Sequence, residues 1–326
     1  MKVFWYLGHE QFQPEVIVEQ AQAAEQAGFD GVAVSEHFHP WVDDVGAGGF
    51  AWSTLAAIAQ ATEQIELLTA VVTPLWHTHP AMVAQAAATV DRLSGGRFAL
   101  GVGTGRSEGM LGYPYPNYAE RAERMGEALD IMRRLLDGAK LDYDGKYYQT
   151  KSARLYSPPV SRVPIYMSAA GPKSARMAAA QSDGVIVSIK DIAEAMEKVV
   201  EPARAESEQG TAVITLHWTV RGRNDDEAWR ALEAWRGLRA PNRDTATDPA
   251  ELRRAADELP REHILGQYHR VQTAEDYVEA YGEIARTVQP DILCVQTTSV
   301  DQMATIQMVG REVLPELRKL AKGGKK

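Results

Sequence analysis

Ser35 to Trp41 reads Ser-Glu-His-Phe-His-Pro-Trp and follows directly on the uncharged run 31–34. A carboxylate, two imidazoles and an indole at the end of a short apolar strand form a place where a proton can change hands near neutral pH. In parallel α/β proteins the C-terminal ends of the strands carry the active site. His37 is the candidate general base and Glu36 its neighbour in sequence, although successive residues of an extended chain point apart. The plain alternative is a satisfied structural histidine. His37 and His39 also have an i, i+2 metal-ligand spacing, which His77 and His79 repeat. Neither pair has the i, i+4 spacing of a helical zinc motif, and the one cysteine stands far away, so no metal is expected.

Further along, Gly101-Val102-Gly103-Thr104-Gly105 ends a strand-like run and would let backbone approach a planar or phosphorylated ligand, or simply make a tight turn. It is a poor dinucleotide fingerprint, because Arg106 stands where the third glycine of G-x-G-x-x-G would fall. Ser168-Ala169-Ala170-Gly171-Pro172 leads from a strand into a helix whose N-terminus suits an anion, and it would serve equally as a compact turn. Lys190 and Arg243 could bring positive charge to an anionic substrate, or simply be solvated.

Eight apolar runs, at 3–7, 31–34, 65–72, 97–102, 164–167, 184–188, 212–219 and 292–296, read as strands. Helical periodicity falls between them at 14–27, 80–93, 118–136, 173–180, 191–207 and 225–238, and after them at 303–320. Pro14 suits a first helical turn and Gly28 ends that helix. Eight βα units in one domain spanning 1–326 predict a (β/α)8 TIM barrel. Two insertions interrupt it: 141–159, which reads as a hairpin around Asp144-Gly145, and the polar stretch 239–272, with a short helix at 249–258 and the makings of a lid over the mouth. Residues 321–326 read as a flexible basic tail.

Composition excludes other classes. A formal net charge of −9 argues against nucleic acid as a partner. No apolar run has the length of a membrane span and no signal-peptide pattern opens the chain, so the expectation is a cytoplasmic protein without a membrane partner. Cys294 sits in an apolar run and reads as a buried core thiol.

With Ser35 to Trp41 in view, the whole chain resembles the bacterial luciferase-like superfamily, and most closely its branch of deazaflavin-dependent glucose-6-phosphate dehydrogenases. Glu10-Gln11-Phe12, Thr73-Pro74, His79-Pro80-Ala81, Gly101 to Gly105, Gly145-Lys146-Tyr147-Tyr148, Gly171-Pro172, Asp183-Gly184 and the patch from Asp248-Pro249 to Leu259-Pro260 appear in matching order. The resemblance implies a barrel binding coenzyme F420 at its mouth and acting on a small-molecule alcohol or carbonyl, in a homodimer. It makes His37 the acceptor of the hydroxyl proton and Trp41 a wall of the reacting centre. Glu36 falls on the cofactor side, with Glu10 as a nearby carboxylate. Thr73, Thr104, Gly105, Ala170 and Gly171 match cofactor contacts, and Ala70-Val71 matches a non-proline cis peptide under the deazaflavin ring.

Two departures stand out. Arg106 occupies the place of a glutamate that handles the proton of the reduced cofactor; a guanidinium cannot be that acid, but its charge could stabilise an anionic ring, or Glu108 could take over. The three basic residues that grip a sugar phosphate correspond to Lys190, Arg243 and Gln267, so two charges survive and one is lost. That weakens the case for glucose 6-phosphate and leaves another phosphorylated or polar hydroxy or carbonyl compound open. The competing readings are an FMN-dependent reductase or monooxygenase on the same scaffold, and a non-catalytic barrel that binds a flavin-type cofactor.

Overall fold

The computed structural model describes residues 1–105, 109–113, 116–207 and 210–323. Eleven strands are present among them: β1 (Lys2–Leu7), β2 (Gly31–Val34), β3 (Glu66–Thr69), β4 (Phe98–Val102), β5 (Leu141–Asp144), β6 (Gln149–Ala153), β7 (Ile165–Ser168), β8 (Gly184–Ile189), β9 (Ala212–Arg221), β10 (His269–Val271) and β11 (Ile292–Thr298). β1, β2, β3, β4, β7, β8, β9 and β11 pair in that order, all parallel, and β11 returns to β1, so the sheet closes into the expected eight-stranded barrel.

The period of two along each strand builds two apolar layers. Val3, Trp5 and Leu7 of β1, Val32 and Val34 of β2 and Leu293 and Val295 of β11 join the core beneath the helices. Phe4, Ala33, Leu68, Ile186, Ile214 and Cys294 fill the barrel interior. Gly31 is small because Phe4 lies over it: a Cβ there would come within 2.2 Å of the ring. Cys294 is buried as expected, and burial pushes its thiol far above the ordinary range.

The outer helices are α1 (Pro14–Gln26), α2 (Ala51–Ala61), α3 (Pro80–Ser94), α4 (Tyr118–Leu136), α5 (Pro172–Gln181), α6 (Ile192–Ala195), α7 (Glu201–Glu206), α8 (Asp225–Ala231), α9 (Pro249–Asp257), α10 (Arg261–Leu265), α11 (Ala274–Thr287), α12 (Gln302–Met308) and α13 (Leu314–Gly323). α1 begins on Pro14, and Gly28, at φ +86°, turns the chain after it, as its sequence predicts. The helix expected over 191–207 is interrupted by a π turn, Met196–Val200, and a second π turn, Val309–Val313, precedes α13. Each lies just before a proline, Pro202 or Pro315, whose ring and missing N–H disfavour regular i to i−4 bonding. The helix expected over 225–238 stops at Ala231 and continues as a 3₁₀ turn, Glu233–Arg239.

β5 and β6 form the expected antiparallel hairpin. The stretch 239–272 is more built than a polar lid. It carries α9 and α10 over their own apolar cluster, with Trp235, Leu252, Ile264 and Tyr268, and its last part, β10, adds a ninth parallel strand beside β9. α13 runs through Gly323. Among the described residues no helix is long and apolar enough to cross a membrane.

Candidate functional site

The parallel register of β1 and β2 pairs Leu7 with Val34, so three residues further along each strand Glu10 and His37 emerge beside one another. Nε2 of His37 lies 3.7 Å from Oε1 of Glu10; the imidazole is 35% exposed and the carboxylate 3%. The other Glu10 oxygen accepts the Ser35 hydroxyl at 2.6 Å. Ser35 is itself fixed by His9, whose backbone N–H donates to Ser35 Oγ at 2.9 Å and whose Nδ1 reaches the Ser35 carbonyl at 2.7 Å. A carbonyl only accepts, so Nδ1 carries the hydrogen and Nε2, 2.9 Å from Thr54 Oγ1, accepts from that hydroxyl. Burial lowers the His9 pKa and keeps the ring neutral. Gly49 must be glycine here, because a Cβ would stand 2.3 Å from the His9 ring.

Trp41 packs edge-on against His37, with ring centroids 5.0 Å apart. Its carbonyl is pressed by the 3₁₀ turn, where a Cβ on Gly237 would come within 1.7 Å of it. That turn is fastened to the barrel by Trp235, which donates from Nε1 to Gln11 at 2.8 Å and stacks edge-on with Trp218. His39 has its Nδ1 3.1 Å from the Thr247 carbonyl, while His79 caps α3 by accepting the Ala81 N–H. Among the described residues no group of three or more His, Cys, Asp or Glu side chains is placed to hold a metal ion.

Two cavities open at the strand ends, and His37 lines the smaller. One, of about 350 Å³, is lined by Glu36, His37, Gly48, Phe50, Thr73 and His77. Beside it the Ala70-Val71 peptide is cis, and Thr73 packs on Gly105, whose φ is +71° and whose Cβ would lie 2.9 Å from Thr73. Arg121 donates to the Gly105 carbonyl at 2.9 Å. The other cavity, about 780 Å³, is the barrel mouth and gathers Ala170, Lys190, Arg243 and Gln267 on a floor that includes Tyr6 and Leu216. Burial, with the Glu10 charge behind it, holds the Tyr6 phenol well above its ordinary range and so keeps it a neutral donor. Arg243 also lines the small cleft shared by His37 and Trp41, which ties the mouth to the proposed base.

The family model for luciferase-like monooxygenases matches residues 1–297. The chain belongs to this family. It is 34% identical to the F420-dependent glucose-6-phosphate dehydrogenase of Intrasporangium calvum, over 98% of this chain and 100% of that one. It is 37% identical to an F420-dependent hydroxymycolic acid dehydrogenase of Mycobacterium tuberculosis, over 80% of this chain and 74% of the other. A solved F420-dependent secondary alcohol dehydrogenase in complex with an F420-acetone adduct superposes with a TM-score of 0.88 at 27% identity, covering 97% of this chain and 99% of that one.

For this luciferase-like protein, the structure brings His37, Glu10, Glu36, Trp41 and Thr73 together on one side of the mouth, and Ala170, Lys190, Arg243 and Gln267 on the other. The Ala170 and Gly171 N–H groups are not turned outward as an anion nest: both donate to Ser174 Oγ at 3.2 Å. Thr104 is part-buried next to Gly105, and Arg106 and Glu108 lie outside the described residues. Sequence reasoning missed His9 as the support of Ser35, and it missed Arg239, which lines the mouth with its guanidinium 4.4 Å above the Tyr268 ring. Arg239 carried no motif; only its place at the end of a turn next to an aromatic strand marks it.

Proposed function

We propose that this chain is an F420-dependent oxidoreductase that moves a hydride between the cofactor and an alcohol or carbonyl carbon. The observation that carries the reading is His37 at the open mouth, 3.7 Å from a buried carboxylate and beside a cavity that also holds Glu36 and Thr73. The residues fit a deazaflavin. Gly171 has extended backbone that any residue could adopt, and a Cβ there would meet no protein atom, so its missing side chain leaves room for a ligand rather than relieving a clash. Thr73, Thr104, Gly105, Ala70, Val71, Ala170 and Gly171 would hold the cofactor, with Glu36 facing its ring.

When bound, F420 supplies a two-electron hydride acceptor or donor. In alcohol oxidation the C–H bond gives up its hydride while His37 Nε2 takes the hydroxyl proton, leaving a carbonyl; reduction runs the same steps backwards. Glu10 favours the imidazolium that forms, and Ser35 keeps the second carboxylate oxygen occupied so that the first faces His37. Trp41 closes the centre against water. Lys190, Arg243 and Gln267 orient the far end of the substrate, a polar or phosphorylated hydroxy or carbonyl compound.

The test is a binding titration of the purified chain with F420 and with FMN, followed by an alcohol and carbonyl screen read by deazaflavin absorbance. F420 binding and turnover that His37→Ala abolishes support the reading. Tight FMN binding without F420 binding overturns it in favour of a flavin enzyme, and F420 binding without turnover of any substrate favours a carrier. The homodimer expected from the resemblance is checked by light scattering on the same preparation.

A further inference from the structure

His217, on β9, lies with its ring in the barrel mouth, where β8 and β9 pair Ile189 with His217. Its Nδ1 is 3.0 Å from the Ile189 carbonyl and so carries the hydrogen. Its Nε2 is 3.2 Å from Nδ1 of His269, on the neighbouring β10, which must therefore be the donor between the rings. The polarity of this chain of bonds is fixed from the buried end: Ile189 accepts from His217, and His217 accepts from His269. Only Nε2 of the exposed His269 is left over. It accepts a hydrogen bond while bare, and becomes a cationic N–H donor when a proton arrives, with both existing bonds intact. The pair thus holds one proton, on its outer ring, without rearrangement. Tyr281 donates to the His217 carbonyl at 2.8 Å and fixes the strand, and burial keeps His217 itself neutral.

The surroundings suit an anion. Lys190, Lys198, Arg239 and Arg243 face the mouth against Asp191 and Glu194, and Lys198 is paired with Glu194 at 2.6 Å. A positive mouth in a chain of net charge −9 concentrates oxyanions there. Asp276, at the start of α11, is held by the Thr273 and Gln272 N–H groups, which keep its carboxyl below the usual range and so negatively charged. Arg239 is held over Tyr268, with its buried Nε making no hydrogen bond among the described residues. Buried donors of that kind are normally satisfied.

We propose that His269, backed by His217 and joined by Arg239, is an oxyanion-binding station that takes the carboxylate, phosphate or sulfate end of the substrate and grips it more tightly when the pair is protonated. This deepens the proposed function, because the anionic end would sit in the mouth while the hydroxyl carbon faces His37.

Sulfate is the probe, since it stays dianionic across the range tested, whereas phosphate would titrate along with the protein. Calorimetric titration of the full chain, without cofactor, should give sulfate binding at least about ten-fold tighter at pH 5.5 than at pH 8.5, the interval in which imidazole charge changes. His269→Gln should abolish that difference, His269→Lys should restore tight binding at both pH values, and Arg239→Gln should weaken binding at both while keeping the difference. No sulfate binding by folded wild-type chain, or a pH difference that survives in His269→Gln, overturns the proposal. F420 titration of the wild-type chain is read separately: its failure sinks the cofactor reading and leaves the sulfate result standing.

Discussion

Glu10→Gln separates the charge of the buried carboxylate from its shape. The glutamine oxygen can still accept from Ser35, so the 2.6 Å bond is kept, while the negative charge 3.7 Å from His37 Nε2 is lost. Coulomb attraction at that distance is roughly 1 kcal/mol at the permittivity of water and roughly 4 kcal/mol at an effective value of 20. With His37 about one-third exposed, solvent screening holds the coupling to its imidazolium toward the lower of these limits. In alcohol oxidation the base must be neutral, so the acidic limb of the pH–rate profile marks its protonation. Removing Glu10 makes the imidazole a weaker base, so that limb should move to lower pH. On the plateau the weaker base should lower kcat by roughly two- to five-fold, taking about half the lost coupling as expressed in the transition state. The assay follows deazaflavin absorbance with any turned-over alcohol from pH 5 to 9, paired with an NMR titration of the His37 ring in the free chain. A limb that stays in place, or moves to higher pH, would refute the coupling, as would a variant changed in KM alone.

Ser35→Ala removes the donor to Glu10 and the acceptor of the His9 N–H, both buried; it should cost about 1 to 3 kcal/mol in urea unfolding and shift the pH–rate limb, through loosened placement of Glu10. An unfolding midpoint equal to wild type would contradict the network. Gly49→Ala drives a methyl into the His9 ring, where 2.3 Å separates Cβ from Cδ2, and should destabilise by about 1 to 3 kcal/mol; a neutral result in the same experiment would mean that His9 is not pinned. Burial lowers the pKa of both His9 and His217, so the unfolded chain takes up protons that the fold refuses. Their stability contribution is complete above the unfolded imidazole value of about 6.5 and is lost as pH falls below it. Melting temperatures should drop from pH 7.5 to 5, and a level or rising profile would count against buried neutral imidazoles.

The barrel was legible because parallel strands buried on both faces read as short, nearly uninterrupted apolar runs, and seven of the helices between and after them kept a clear period. Two of the helices that escaped that reading, α2 and α11, did so for opposite reasons. α2 is alanine-rich, starts at Phe50 without a side-chain cap, and is apolar on most sides, so it offers neither a start signal nor a contrast between faces. α11 did carry a signal, the capping box of Thr273 and Asp276, but it sits at the end of a charged insertion that masked it. β10 has only three residues, too few for any period to show, and takes its strand form from pairing with β9.

The same distinction runs through the site. His37 could be found from its place at a strand end, but its nearest carboxylate in sequence, Glu36, lines the smaller cavity, and the side chain that meets its Nε2 is Glu10. That partnership depends on register, Leu7 opposite Val34, which is a property of two strands together and absent from either alone. The family resemblance supplied Glu10; local pattern could not. His217 and His269 repeat the case without a motif to announce them, since they are brought into contact only because β8, β9 and β10 lie side by side. In a closed parallel barrel every neighbouring pair of strand ends is such a meeting point, so chemistry at the mouth follows from residue number counted past the last paired position. Counted that way, Glu10 and His37 each stand three residues beyond their strands' final pair, and a carboxylate and an imidazole so placed can pair without either strand bending.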